Sequence, residues 1–269
     1  MILAVTFGDD NFSQSRDYNL KSSLKYGHVD KVQKYTRNDL DPAFSDTNKE
    51  ILSAKRGGGY WLWKPYIINK AFENLKNGDY LVYADSGSFY KRDVHILIEY
   101  MEKNNMVVFL NELNHQEREY SKRDAFVYMN VDNLGLENTY QYEASFLLVK
   151  KDAVTEQFLK DWLYYACDKR IISDDTNTCG LRNYNGFVEN RYDQTVLSLL
   201  AKKYGFKGNI PVDLPRLRND HKREYPQIII RTRYRNTSTF KFMLKILYKH
   251  LEYYWLNFIG IKNQDEEIK

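Results

Sequence analysis

The sequence predicts an α/β fold in which a mixed sheet is flanked by helices, with a basic amphipathic helix near the C-terminus. Three observations predict it. The chain opens with a short apolar run, a Gly-Asp-Asp break and a stretch of helical spacing, the strand–loop–helix order of an α/β sheet. A second apolar run, DYLVYA at residues 79–84, stops abruptly at Asp85-Ser86-Gly87-Ser88. Lysines at 241, 245 and 249 recur every four residues and so share one helical face, while Leu244, Leu247, Leu251, Trp255 and Phe258 mark another.

The elements follow in order. Ile2–Thr6 reads as a buried strand closed by Gly8, Asp9 and Asp10, Ser13–Tyr26 as a helix and Lys31–Tyr35 as a second strand. Asn48–Lys55 starts a helix leading into RGGGYWLWKP at residues 56–65. Tyr66–Leu75 reads as a helix stopped by Asn77-Gly78. Asp79–Ala84, Met106–Leu110 and Tyr142–Val149 read as further strands. Ala153–Ala166 is an amphipathic helix with Phe158, Trp162 and Tyr165 on one face, and Tyr192–Tyr204 is another helix. Ser173–Asn185 is polar and irregular. From Pro211 the chain is a basic loop with a strand-like QIII, then a helix from Phe240 to Phe258. No repeat or interdomain linker is visible, so residues 1–236 are read as one catalytic domain and 237–269 as a helical extension.

Composition narrows the function. With 43% hydrophobic residues in a chain of 269, a sizeable core is available, and 28% charged residues exclude an integral membrane protein. No run of about 18 apolar residues exists. The net charge of +4 is unevenly spread: Arg216–Lys249 holds ten Lys/Arg against two Asp/Glu, which leaves the remainder acidic. That asymmetry expects an anionic partner, a diphosphate or an acidic lipid surface. A nucleic acid is not expected, because no nucleic-acid module is present and the acidic remainder would repel one. Two cysteines without a CxxC pair fit a reducing compartment, and MILAVTFGDD has no signal-peptide pattern. The expected location is cytoplasmic, peripheral on the inner face of a membrane.

Five places carry candidate chemistry. Asp85, at the end of an apolar strand, is positioned either to ligate a divalent cation that grips a diphosphate or simply to cap the following turn. In RGGGYWLWKP, Arg56 and Lys64 flank glycines that permit close backbone approach; the same segment reads as a hinge before a helix with core aromatics. Strand alternation places Gln141, Glu143 and Ser145 on one face, where Glu143 is a base or a solvated edge carboxylate. At NRYDQ, Asp193 or Asn190 is an N-cap or a sugar-binding group. His221 lies among Arg216, Arg218, Lys222 and Arg223, as a metal ligand or an exposed loop residue.

Taken together, RGGGYWLWKPYII (56–68), DYLVYADSGS (79–88), QYEASFLLVKK (141–151) and NRYDQTVLSLLAKKYG (190–205) resemble the glycosyltransferases of bacterial capsule and lipopolysaccharide biosynthesis. The resemblance implies a GT-A-like, Rossmann-like sheet and hexosyl transfer from a nucleoside-diphosphate sugar, UDP-sugar foremost, to a saccharide or lipid-linked glycan acceptor. It makes YADSG the counterpart of a DXD metal motif, with Gly87 in place of the second Asp. Mn²⁺ or Mg²⁺ would then be held by Asp85, with His221 supplying a second ligand. The resemblance further implies that Thr6, Arg56, Lys64, Asp85, Ser86, Gly87 and Gln194 surround the donor, and that Glu143 and Asp193 are the catalytic carboxylates. The alternative is a non-catalytic sugar- or nucleotide-sugar-binding protein.

Overall fold

A computed structural model describes residues 1–101, 105–111, 115–209 and 226–266. Its backbone is a six-stranded mixed sheet of order β2-β1-β3-β6-β5-β7. The strands are β1 (Ile2–Phe7), β2 (Lys31–Tyr35), β3 (Tyr80–Ala84), β5 (Met106–Leu110), β6 (Tyr142–Lys150) and β7 (Gly208–Asn209). A two-stranded antiparallel ribbon of β4 (Ser88–Tyr90) and β8 (Ile229–Arg231) packs beside it. β1 runs parallel to β2 and β3, and β6 runs antiparallel to β3 and β5.

The strand pattern in the sequence is the pattern of a sheet covered on both faces. Leu3, Val5 and Phe7 of β1 enter one apolar layer while Ile2 and Ala4 enter the other, so the strand is almost continuously apolar. The first layer lies under α5 (Trp63–Glu73), preceded by α1 (Ser13–Lys25), α2 (Pro42–Thr47), α3 (Lys49–Leu52) and the single turn α4 (Gly57–Tyr60). After α6 (Glu117–Tyr120) and α7 (Arg123–Tyr128), helices α8 (Ala153–Ala166), α9 (Lys169–Ile172) and α10 (Asp193–Lys203) complete that layer through Phe158, Trp162, Ile172, Val196 and Leu200. The second layer is closed by Tyr90, Val94, Leu97 and Ile229. Helix α5 begins three residues before the expected Tyr66, because Pro65 fits a first helical turn that has no use for its missing N–H.

Strand β6 carries the irregularity that matters for the site. Val107 pairs with Leu148 and Phe109 with Glu143, so the register against β5 shifts within β6. Tyr142, Ala144, Leu147 and Val149 all enter the first layer despite the change of parity, while Phe146 and Leu148 enter the second.

The last helix, α11 (Thr239–Glu266), is longer than expected and packs through a different stripe. Phe242, Ile246 and Tyr253 are buried against Phe89 and Ile230 of the ribbon and Tyr18 of α1. Leu244, Leu247, Leu251 and Trp255 stay exposed. Among the described residues no helix is long and apolar enough to cross a membrane. The approach to α11 is fixed by Asn236: its backbone N–H donates to Asn11 O (2.8 Å), its Nδ2 donates to Ser13 Oγ (2.8 Å), and its Oδ1 accepts from Gln14 N (3.0 Å).

His250 fastens the middle of this helix. Lys91 Nζ lies 2.7 Å from Nδ1 and Tyr18 Oη 2.9 Å from Nε2. An ammonium can only donate, so the ring proton sits on Nε2 and is donated to Tyr18. Burial, then Lys91 and Lys25, push the imidazole from 6.5 down to about 4. The folded protein therefore binds fewer protons at this site than the unfolded chain between those two values, and stability must fall as pH drops from about 6.5 towards about 4. Urea midpoints across that window are expected to fall more steeply for the wild type than for His250→Gln. Parallel curves would assign the acid sensitivity to other groups.

Candidate active site

The carboxyl ends of the parallel strands β1 and β3 open into one cavity of about 610 Å³. In an open α/β sheet this is where ligands bind. Its floor is the turn after β3, where Asp85, Ser86 and Gly87 all line the cavity. The turn is held from below: Thr6 Oγ1 donates to Ala84 O (2.7 Å), Asn19 Nδ2 of α1 donates to Ser88 O (2.8 Å), and Ser88 Oγ donates to Asp85 O (2.7 Å).

Beneath the floor sits a buried lysine. Lys64 Nζ is 2.7 Å from Asp193 Oδ2 and 3.4 Å from Asp85 Oδ1, and it donates to Ala144 O at 3.0 Å. Tyr83 Oη donates to the same Asp85 oxygen at 2.7 Å. Burial works to lower the lysine pKa, but Asp193 and Asp85 outweigh it and hold the ammonium above its ordinary value. Burial raises the Asp193 carboxyl to about 6 against the pull of Lys64, with Asp85 adding to the rise. The Asp85 side chain, 42% exposed, faces the cavity, whereas that of Asp193, 5% exposed, does not.

One wall is the glycine segment. Gly57, Gly58, Gly59, Tyr60 and Trp61 all have positive φ, a left-handed turn that the glycines make possible. A Cβ on Gly57 would collide with the Trp61 ring, and one on Gly59 would sit 2.7 Å from Leu52 Cα. The turn folds Trp61 back over Gly57, while Trp63 Nε1 donates to Gly57 O (3.0 Å) and the Trp63 ring stacks on Phe7 at 3.9 Å. Arg37 ties the turn down through Leu52 O and Gly58 O.

The opposite wall is the segment that continues β8. Gly87 O accepts from Thr232 N (2.6 Å) and Arg233 N (2.9 Å). A Cβ at Gly87 would sit 3.0 Å from Arg233 Cα. A second aspartate in the ADSG turn would press its Cβ on the Arg233 backbone, so that segment would have to shift to accept it. Arg231, Arg233 and Arg235 line the cavity, joined by Arg37 and Lys55. Five cations thus face two carboxylates, Asp9 and Asp85. Among the described residues, Lys55, Arg233 and Arg235 form no ion pair.

The remaining expected site residues lie outside the lining. Thr6 is buried in its bond to Ala84. Lys64 does not reach the cavity, because the start of α5 aims it into the body, where the two aspartates hold it. Arg56 is turned outward, over the Tyr192 ring at 5.5 Å and 3.6 Å from Glu189. Gln194 donates to Gln141 Oε1 at 2.7 Å, away from the cavity. Glu143 stands behind Arg231, whose Nη2 bonds both its carboxylate and Ser145 Oγ. Gln141 does not share the Glu143–Ser145 face. It precedes the strand, and its amide turns into a buried network with Tyr120 O and Ser121 Oγ. Neither Asp193 nor Asn190 caps α10: Asp193 is the first helical residue, and Asn190 donates to Ile171 O and Ser173 O. His221 lies outside the described residues. The arginines of RTRYR were not singled out in sequence, although their period of two was the signal that could have marked them as one wall.

A divalent cation does not fit the described lining. One Asp85 oxygen is taken by Tyr83 and Lys64, the wall opposite is cationic, and no group of three His, Cys, Asp or Glu side chains converges among the described residues.

No family model matches the chain, and no curated protein matches it. Among solved structures it is similar to mouse xyloside xylosyltransferase 1 in its apo form, at 11% identity and a TM-score of 0.47, over 86% of this chain and 97% of that one. It is also similar to the apo structure of WbbM, a bifunctional glycosyltransferase, at 11% identity and a TM-score of 0.42, over 74% of this chain and 37% of that one. Neither similarity bears on the chemistry of this cavity.

Removing one partner of a buried ion pair costs about 3–5 kcal/mol, because the other charge is left stranded. Lys64→Met is therefore expected to lower unfolding free energy in urea by about that amount. Adding Asp193→Leu should recover most of the loss. Equal stability of the single and double variants would mean that Asp193 is not the group Lys64 neutralises.

Proposed function

We propose that the protein is a glycosyltransferase that moves a sugar from a nucleoside-diphosphate sugar, UDP-sugar foremost, to a saccharide or glycan acceptor. The observation that carries this reading is the cavity itself: aromatic walls and five cations at the carboxyl ends of two parallel strands, facing a single strand-end aspartate. Flat rings at Phe7, Trp61 and Trp63 suit a base or a sugar ring, and guanidinium groups suit a diphosphate.

In this reading the loop Gly8–Phe12 receives the nucleoside, and Lys55, Arg233 and Arg235 take the diphosphate. Charge develops on the leaving nucleoside diphosphate as the glycosidic bond breaks, and fixed cations stabilise it in the transition state. Asp85, oriented by Tyr83 and Lys64, accepts hydrogen bonds from hydroxyls of the transferred sugar. Glu143 acts through Arg231 as a positioning residue, and Asp193 acts through Lys64 in the same way.

Binding of UDP and a panel of sugar nucleotides, followed by thermal shift with EDTA and with Mn²⁺, tests the reading. Stabilisation that survives EDTA is expected from the arginine wall, whereas stabilisation only with Mn²⁺ would bring a cation back, with His221 as the ligand to examine. No stabilisation by any sugar nucleotide in either condition would reject the proposal. Binding without release of nucleoside diphosphate would leave a non-catalytic nucleotide-sugar-binding protein.

Asp85→Ala is expected to keep the circular dichroism spectrum and to lose at least about nine-tenths of the transfer rate, a barrier increase of about 1.4 kcal/mol or more. A smaller loss would remove Asp85 from the site of transfer.

A further inference from the structure

The body of the protein buries only one stripe of α11. Of the sixteen large apolar side chains that are exposed among the described residues, eight lie on this helix, each between 48 and 74% exposed. At a helical advance of about 100° per residue they form a continuous arc about 140° wide, directly opposite the buried Phe242, Ile246 and Tyr253. Phe240, Leu244, Leu247 and Leu251 are its centre, with Trp255 and Tyr248 towards one margin.

Both edges of the arc are basic. Lys241 and Lys245 are exposed on one flank, with Lys245 Nζ 5.0 Å above the Tyr234 ring. On the other flank α1 runs alongside, and a groove between the helices is lined by Lys21 and Lys25 together with Met243 and Leu247. Lys25 Nζ sits 5.0 Å from the Tyr26 ring. Lys249 is drawn away from this role by its pair with Glu252 at the seam.

An apolar arc with tryptophan and tyrosine at its margin and lysines on both sides matches an interface where acyl chains meet anionic head groups. A second copy of the chain fits less well, because a two-fold contact through the arc presents the same lysine rows to one another. We infer that α11, with Lys21 and Lys25 of α1, docks the protein on an anionic membrane surface. The lysines meet lipid phosphates, and the arc from Leu244 to Trp255 enters the head-group boundary. This stands independently of sugar transfer. Under that reading it brings the cavity, whose wall leads through Asn236 into α11, beside a lipid-linked acceptor.

The test is co-sedimentation of the full chain with phosphatidylcholine vesicles, with and without phosphatidylglycerol, at low and high salt. Leu247→Glu/Leu251→Glu and Lys241→Glu/Lys245→Glu change exposed positions only, and unchanged urea midpoints confirm that both variants fold. Binding to phosphatidylglycerol vesicles that falls about tenfold or more in each variant, and weakens with salt, is the expected result. Binding untouched by Leu247→Glu/Leu251→Glu overturns the inference. So does a dimer in sedimentation velocity that this variant abolishes, with no vesicle binding, since the occupant is then a second copy. Sugar-nucleotide binding by the same variants separates the two readings, because it is expected to stay at the wild-type level whichever way the vesicle result falls.

Discussion

A charged lysine almost wholly shielded from solvent is the constraint on which the rest of this structure is built. Lys64 is 3% exposed, and an ammonium there requires neutralising charge and oxygen acceptors. Asp193, Asp85 and Ala144 O supply them, and in doing so join α10, the end of β3 and the irregular stretch of β6 at one point. Each partner is thereby fixed in turn. Asp85 is left with one face towards the cavity, Asp193 is withdrawn from it, and the carbonyl of Ala144 is pinned where β6 changes parity.

The two walls solve a different problem, that of bringing backbone close to a floor that is already crowded. On one side five successive positive-φ residues roll the chain over so that Trp61 covers Gly57. On the other, Gly87 lets the strand from Ile229 pass within hydrogen-bond distance of the turn after β3. Both devices exchange side-chain volume at a glycine for close approach, of the Trp61 ring in one case and of the arginine-bearing strand in the other. The absence of a second aspartate after Asp85 and the presence of three arginines opposite it are in this sense a single feature.

The strands were legible in the sequence because sheets covered on both faces leave near-continuous apolar runs. β2, β5 and α8 fall where the pattern puts them, and β1, β3 and β6 each differ by one residue at one end. The wall glycines and the strand-end aspartate were legible too, since both are breaks in apolar pattern. What the sequence did not disclose was direction. Lys64 beside three glycines looks like a phosphate ligand, yet the first turn of α5 turns it inward. Alternation groups Gln141 with Glu143, yet Gln141 stands outside the strand and belongs to a different network. The stripe chosen on α11 is apolar, but Phe242, Ile246 and Tyr253 form a second apolar stripe, and only packing against Phe89 and Ile230 decides which of the two is covered.

The cation wall has an implication for how the protein is made. The sheet strands β1, β3 and β6, the lysine core and the glycine turn are all complete before Ile229 is reached. Arg231, Arg233 and Arg235 then arrive together, on a strand whose partner β4 was made far earlier. Pairings of such long sequence separation are slow to form, because the loop between them must close first. The cationic wall is thus the last part of the cavity to be synthesised, and it closes through a pairing between segments far apart in sequence.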